Sequence, residues 1–88
     1  MDDKTITFSL ANEKESLTKN IFAEVYLALL EKGYDPINQL AGYILSLDPT
    51  YITTYHNARN LITRVDRDVL LKEMIKIYAG QTKIKDLL

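Results

Sequence analysis

The stretch Glu31–Tyr51, EKGYDPINQLAGYILSLDPTY, sets what this chain can fold into. Lys32-Gly33 stops one helix, because glycine takes the left-handed closing conformation without a steric penalty. Asp35-Pro36 starts another: the aspartate caps free backbone amides, and proline at the first helical position lacks only an N–H the helix does not use. Asp48-Pro49 ends that helix, and Pro49 to Ile52 is expected to form one short turn. Ile37, Leu40, Ala41, Ile44 and Leu45 are expected to face inward. Gly42 is worth ~1 kcal/mol less than alanine in mid-helix, so it is expected to admit another helix at close range.

Around this stretch the chain divides into helices. Helix one is expected over about Asn12–Lys32, with Asn12 as N-cap and Glu13 and Glu15 in the first turn, where the helix dipole favours anions. Leu17, Ile21, Val25, Ala28 and Leu29 recur at helical spacing, and Phe22, Tyr26 and Leu30 form a second stripe beside them. Between Ile21 and Leu30 only Glu24 is clearly polar, so most sides of that segment need cover, from its own neighbours or from a second copy. Thr53 or Thr54 caps a third helix over about Tyr55–Arg64, with Leu61, Ile62 and Val65 apolar. Asp66 caps a fourth, about Arg67–Ala79, with Leu70, Met74, Ile77 and Tyr78 inward and Gly80 closing it. Residues 12–80 thus form the bundle, and 81–88 a polar tail. The fold class is all-α, a compact four- to five-helix bundle.

Residues 1–11 read differently. Thr5, Thr7 and Ser9 alternate with Ile6, Phe8 and Leu10, the period of a strand. No later segment offers a strand to pair with, so the segment is expected to be a flexible extended arm. The alternative is that Ile6 and Phe8 fold back onto the helices.

Composition removes several functions. Eighty-eight residues allow one core. There is no cysteine, hence no disulfide, thiolate metal site or cysteine nucleophile. His56 is the lone histidine, which rules out a histidine metal cluster. The carboxylates fall mainly at helix starts and on solvent faces, and Gly33, Gly42 and Gly80 are too scattered to cradle phosphate. No enzyme chemistry, metal or cofactor is expected. No apolar run nears the ~20 residues that span a bilayer, and MDDKTITFSL lacks the pattern of a signal peptide. A cytoplasmic location without membrane insertion is expected.

Two features remain. Arg59, Arg64 and Arg67 are the only arginines and lie within nine residues. On one continuous helix they would span an arc of about 140°, and their planar forks suit carboxylate or phosphate. They form a candidate partner-binding patch, or else solvated residues paired with Asp66, Asp68 or Glu73. The second feature is the arm itself: Thr5 and Thr7 sit among apolar residues, in a form a protein kinase can grip.

These residues also carry a resemblance. Glu31-Lys-Gly-Tyr-Asp-Pro-Ile-Asn-Gln, Gly42-Tyr-Ile-Leu-Ser, Asp48-Pro-x-Tyr-Ile, Asn57-Ala-Arg-Asn and Asp66-Arg-Asp together resemble the IreB/ReoM family of small regulatory phosphoproteins of Gram-positive bacteria. The resemblance implies a non-enzymatic helical homodimer that is the substrate of a membrane-anchored, wall-sensing Ser/Thr kinase. It implies an N-terminal phosphoacceptor threonine followed by an apolar residue, any residue and an aromatic, a pattern matched by Thr5-Ile6-Thr7-Phe8. It further implies that the unphosphorylated form promotes proteolysis, by a Clp-type protease, of the enzyme committing precursor to peptidoglycan. The upstream threonine of one relative has no counterpart here, where Asp2, Asp3 and Lys4 stand, and Thr7 is the substitute candidate. Leu47 replaces a usual glycine, Thr50 an alanine, Thr53 a proline, Thr63 an arginine and Val69 a glutamate.

The competing class is a helix-turn-helix DNA-binding regulator. A formal net charge of −1 with one basic cluster argues against it, because DNA binders neutralise many phosphates with clustered Lys and Arg. A purely structural dimerisation module, indifferent to the arm, is the third.

Overall fold

A computed structural model describes the backbone of residues 3–87 and the side chains of residues 13–84 and Leu87. Four helices follow in order: α1 (Asp3–Glu31), α2 (Pro36–Ser46), α3 (Ala58–Thr63) and α4 (Arg67–Gln81). Short 3₁₀ turns occupy Pro49–Tyr51, Tyr55–Asn57 and Ile84–Leu87. Among the described residues there is no strand. The all-α expectation holds.

The punctuation acts as its chemistry demands. Gly33 closes α1 at φ 81°, with its amide on Leu30 O (3.0 Å) and the Tyr34 amide on Leu29 O (2.9 Å). The Asp35 carboxylate accepts from the amides of Ile37 (3.0 Å) and Asn38 (3.4 Å), capping α2 with Pro36 in its first turn. Asp48 accepts from both the amide (3.0 Å) and the hydroxyl (2.7 Å) of Thr50, which fixes the Pro49 turn. Asp66 accepts from the Asp68 amide at 3.0 Å and starts α4.

One core joins these elements. Ile21, Val25, Ala28 and Leu29 of α1 pack with Leu40 and Tyr43 of α2, Ile52, Ala58 and Ile62 of the α3 region, Val65, and Leu70 of α4. Leu29, Ile52, Ile62 and Val25 are fully enclosed. Burying a side chain of that kind contributes roughly 1.5–3 kcal/mol.

Several expectations are corrected. The extended arm is not found over the described part of residues 1–11: the backbone from Asp3 to Ala11 continues α1, and Asn12 lies inside the helix. With no strand to pair with, an extended segment would leave its amides to water, whereas a helix bonds them within the segment. Leu17 is 55% exposed and drops out of the α1 stripe. In α2 only Pro36, Leu40 and Tyr43 are buried, while Ile37, Ala41 and Leu45 face outward. An 11-residue helix lying on one neighbour can bury only one face. In α4 Leu70 is buried and Met74 half-buried, but Ile77 (58%) and Tyr78 (72%) are open to solvent. Gly80 does not end α4, which runs to Gln81 with Thr82 as C-cap.

Gly42 admits a close neighbour, but of another kind. The Tyr51 ring lies over it, so that a Cβ there would meet ring carbons at 2.5–2.6 Å. The Gln39 side chain holds Tyr51 in place by donating to its carbonyl at 2.8 Å. The glycine serves the chain's own turn.

Candidate phosphoacceptor segment and docking surface

The third helix begins under strain. His56 (φ 50°) and Asn57 (φ 61°) both take the left-handed conformation between the Tyr55 turn and Ala58. Asparagine tolerates it, and histidine more than most residues. The Thr53 hydroxyl accepts from the Tyr55 amide at 3.2 Å, and the Thr54 side chain caps nothing. Around the strained pair the end of α1 supplies partners. Glu31 Oε2 lies 3.6 Å from His56 Nε2, the Tyr55 and His56 rings are 4.0 Å apart, and Lys32 Nζ sits 4.6 Å from the Tyr55 ring centroid. The Glu31 carboxylate facing the Tyr55 hydroxyl, with some burial, holds the pKa of Tyr55 above the usual phenol value. The cluster is a latch between α1 and α3, and nothing in it is arranged as a nucleophile and base.

The three arginines are placed differently from one another. Arg59, in α3, is half-buried, and its Nε donates to the Ile52 carbonyl at 2.8 Å while its amide bonds Thr53 O at 3.0 Å. Ile52 is a fully enclosed core residue, so Arg59 fastens the loop that carries it. Arg59 also adds a minor charge effect to Asp48, whose pKa is lowered first by its bonds from Thr50. Arg64 is the C-cap of α3 and Arg67 the first residue of α4, both exposed. The chain breaks helical geometry between them at Val65-Asp66, so the single-helix arc does not apply. None of the three makes an ion pair with a carboxylate among the described residues. Asp68 pairs with Lys72 (3.8 Å) and Glu73 with Lys76 (3.4 Å). The alternative of arginines paired with Asp66, Asp68 or Glu73 is not what the structure holds.

Thr5 and Thr7 fall at the third and fifth positions of α1. Their side chains lie outside the described residues. Along the helix, Thr5 is 13 residues, or about 20 Å, before Thr18. Thr18 and Phe22 line one recess with Leu70 and Met74 of α4, so α4 borders α1 at that level.

The sequence pattern did not mark one exposed apolar hollow. Met74, Ile75, Tyr78, Ala79, Thr82 and Ile84 enclose an apolar hollow on α4. A smaller recess of ≈140 Å³ opens between α1 and α4. The signal was present in α4 as apolar residues on more than one face, which one core contact cannot cover. Among the described residues no group of three His, Cys, Asp or Glu could hold a metal, and no helix is long and apolar enough to cross a membrane.

Comparison with known proteins places the chain. The family model described as IreB regulatory phosphoprotein matches residues 3–80. A "UPF0297 protein" of Ruminiclostridium cellulolyticum is 55% identical over 76 residues, which is 86% of each chain. The match takes in the capped turns, the core and both arginine-bearing elements, and with it the chain belongs to the IreB regulatory phosphoprotein family.

Proposed function

We propose that this protein is a non-enzymatic regulator switched by phosphorylation of Thr5, with Thr7 as a secondary acceptor, by a membrane-anchored, wall-sensing Ser/Thr kinase. The observation that carries it is the regulatory-phosphoprotein match beginning at residue 3, joined to the acceptor pattern Thr5-Ile6-Thr7-Phe8. In the unphosphorylated state the protein acts in the cytoplasm as a homodimeric adaptor. It brings the enzyme that commits precursor to peptidoglycan to a Clp-type protease, and phosphorylation ends this. Arg64 and Arg67 are the exposed cations offered to a partner's carboxylates, while Arg59 shapes the loop behind them. A kinase binds its acceptor extended, so modification competes with the first turns of α1, and helix ends fray readily. A DNA-reading role has no support, since the eleven basic residues are offset by twelve acidic ones and DNA binders cluster their cations for phosphate neutralisation.

The test is phosphorylation of the full chain by the wall-sensing kinase, followed by site mapping. Phosphate on Thr5, lost in Thr5→Ala, is the expected result. Phosphate confined to positions outside residues 5–9 sinks the assignment.

A further inference from the structure

The start of α1 stands apart from the rest of the helix. Among the described side chains of α1 burial begins at Thr18 and Ile21, while Glu13, Lys14, Ser16 and Leu17 are exposed and Glu15 is half-buried. The backbone nevertheless runs helical from Asp3 through the whole acceptor pattern. From Glu13 to Leu17 the helix gains little from the core, and an isolated helix of about 12–15 residues is marginal in water. Its propensity is also uneven. Thr5, Ile6, Thr7, Phe8 and Ser9 all belong to the weaker helix formers, and the first three are β-branched. Leu10, Ala11, Glu13, Lys14 and Glu15 are stronger ones. Fraying from the N-terminal end therefore slows near Leu10, just past the residues a kinase has to read.

We propose that fraying of the first turns of α1 meters the phosphorylation switch: kinase and phosphatase both reach Thr5 only while residues 3–9 are unwound, and the phosphate, once on, suppresses the fraying. The proposal rests on Thr5 as the acceptor and specifies how that site is regulated. An active site that transfers a phosphoryl group surrounds a hydroxyl on an extended chain, which a helical Thr5 does not offer. In the forward step the Thr5 oxygen attacks the γ-phosphorus of a nucleoside triphosphate, the bond to the departing diphosphate breaks, and the hydroxyl proton passes to the kinase base. In the reverse step water attacks that phosphorus, the threonine oxygen leaves and takes up a proton, and inorganic phosphate departs. The two enzymes meet different helices. Phosphothreonine brings about −1.5 to −2 charges to the third residue of α1, where the dipole favours anions. The phosphorylated chain therefore opens less often than the bare one. Such opening is local and leaves the core from Ile21 onward in place.

The experiment uses the full chain in two double variants that keep Thr5, Ile6 and Phe8. Thr7→Ala with Ser9→Ala strengthens the helix, and Thr7→Gly with Ser9→Gly weakens it. Position 7 is the free place in the acceptor pattern, and position 9 lies beyond it. The wall-sensing kinase is expected to phosphorylate Thr5 about tenfold faster in the glycine pair than in the alanine pair, and a Ser/Thr phosphatase to remove the phosphate with the same preference. Peptides of residues 1–12 with the same substitutions, too short to hold a helix, are expected to differ by less than about twofold. For the wild-type sequence, the slowing of the full chain relative to its peptide is expected to be roughly threefold greater for the phosphatase than for the kinase. Equal rates on the two full-length pairs, a glycine preference shared by the peptides, or a phosphatase slowed no more than the kinase overturns the proposal. Amide hydrogen exchange checks the premise without either enzyme. Residues 5–9 are expected to exchange faster than Val25–Leu29 yet slower than in the peptide, and exchange at the peptide's rate overturns the proposal. Phosphate absent from Thr5 removes switch and metering together, whereas phosphate on Thr5 at equal rates removes the metering alone.

Discussion

Arg59 and Leu47 show how much one residue's setting decides. The guanidinium of Arg59 holds the carbonyl of an enclosed core residue, whereas Arg64 and Arg67 lie in solvent. A hydrogen bond involving a charged group contributes about 1.5–3 kcal/mol, and surface changes away from such features stay within ~0.5 kcal/mol. Arg59→Ala is therefore expected to lower stability by roughly 1–2 kcal/mol in chemical denaturation, with Arg64→Ala and Arg67→Ala near zero. Equal effects at all three positions would show that the Ile52 bond carries no weight. Leu47 caps α2 at φ 62°, in the left-handed region, and donates its amide to Tyr43 O at 2.7 Å. A side chain there costs about 1–2 kcal/mol, which glycine avoids while losing more freedom on folding. Leu47→Gly is expected to gain on the order of 0.5–1 kcal/mol, read as a rise of a few degrees in the thermal midpoint. A fall would mean that the half-exposed leucine packs more tightly than its geometry shows.

At the scale of elements, the caps were legible because their signals are local. Asp35-Pro36, Asp48-Pro49, Asp66 and Gly33 each act on amides or carbonyls within three residues, and each falls where the sequence placed it. What could not be read was which face of a short helix is covered, since Ile37 and Leu40 look alike until a neighbour takes one side. The break at Val65-Asp66 likewise scattered an arginine face drawn on a continuous helix. Residues 3–11 misled for a third reason: strict alternation matches a strand, but a strand needs a partner, and α1 does not. That difference bears on the switch. A phosphate on Thr5 adds about −1.5 to −2 charges at the third residue of α1, where the helix dipole is positive. Phosphorylation is therefore expected to strengthen the first turns of α1, and a phosphate on Thr7, further in, to do so less. With α1 intact the phosphate stays about 20 Å along the axis from the level where α4 begins to pack, so docking on Arg64 and Arg67 would require unwinding. Backbone chemical shifts of residues 3–12, measured before and after phosphorylation, distinguish the two. Stronger helical shifts support ordering, and a move to coil values refutes it.

The whole molecule exposes more surface than its mass calls for. Its accessible surface is 6747 Å², against roughly 5,300 Å² for a compact monomer of 10.1 kDa. Its radius of gyration is 15.4 Å, against about 12 Å for 88 residues. The 29-residue α1, about 43 Å long, accounts for part of this. The remainder includes the outward stripe of α2, where Ile37 is 68% and Leu45 86% exposed with Ala41 between them. No charged residue occurs from Pro36 to Leu47. An antiparallel α2 pair about a two-fold axis near Ala41 would set Ile37 of one copy against Leu45 of the other, with the small alanines at the crossing. Such a contact is self-complementary, as a closed dimer requires, and nothing charged has to be buried to form it. The apolar residues of α1 at Ile21, Val25, Ala28 and Leu29 are committed to the protomer's own core, which leaves the α2 stripe, with the exposed Leu27 and Leu30 of α1, for a dimer contact. Sedimentation at micromolar concentration is expected to give twice the 10.1 kDa chain mass. Leu45→Glu is expected to yield monomer, because a two-fold axis buries two carboxylates for each substitution, while the protomer keeps its helical signal. Ile75→Asp, on α4, is expected to leave the dimer intact. A wild-type monomer sinks the dimer, and a dimer that survives Leu45→Glu but not Ile75→Asp moves the axis to α4.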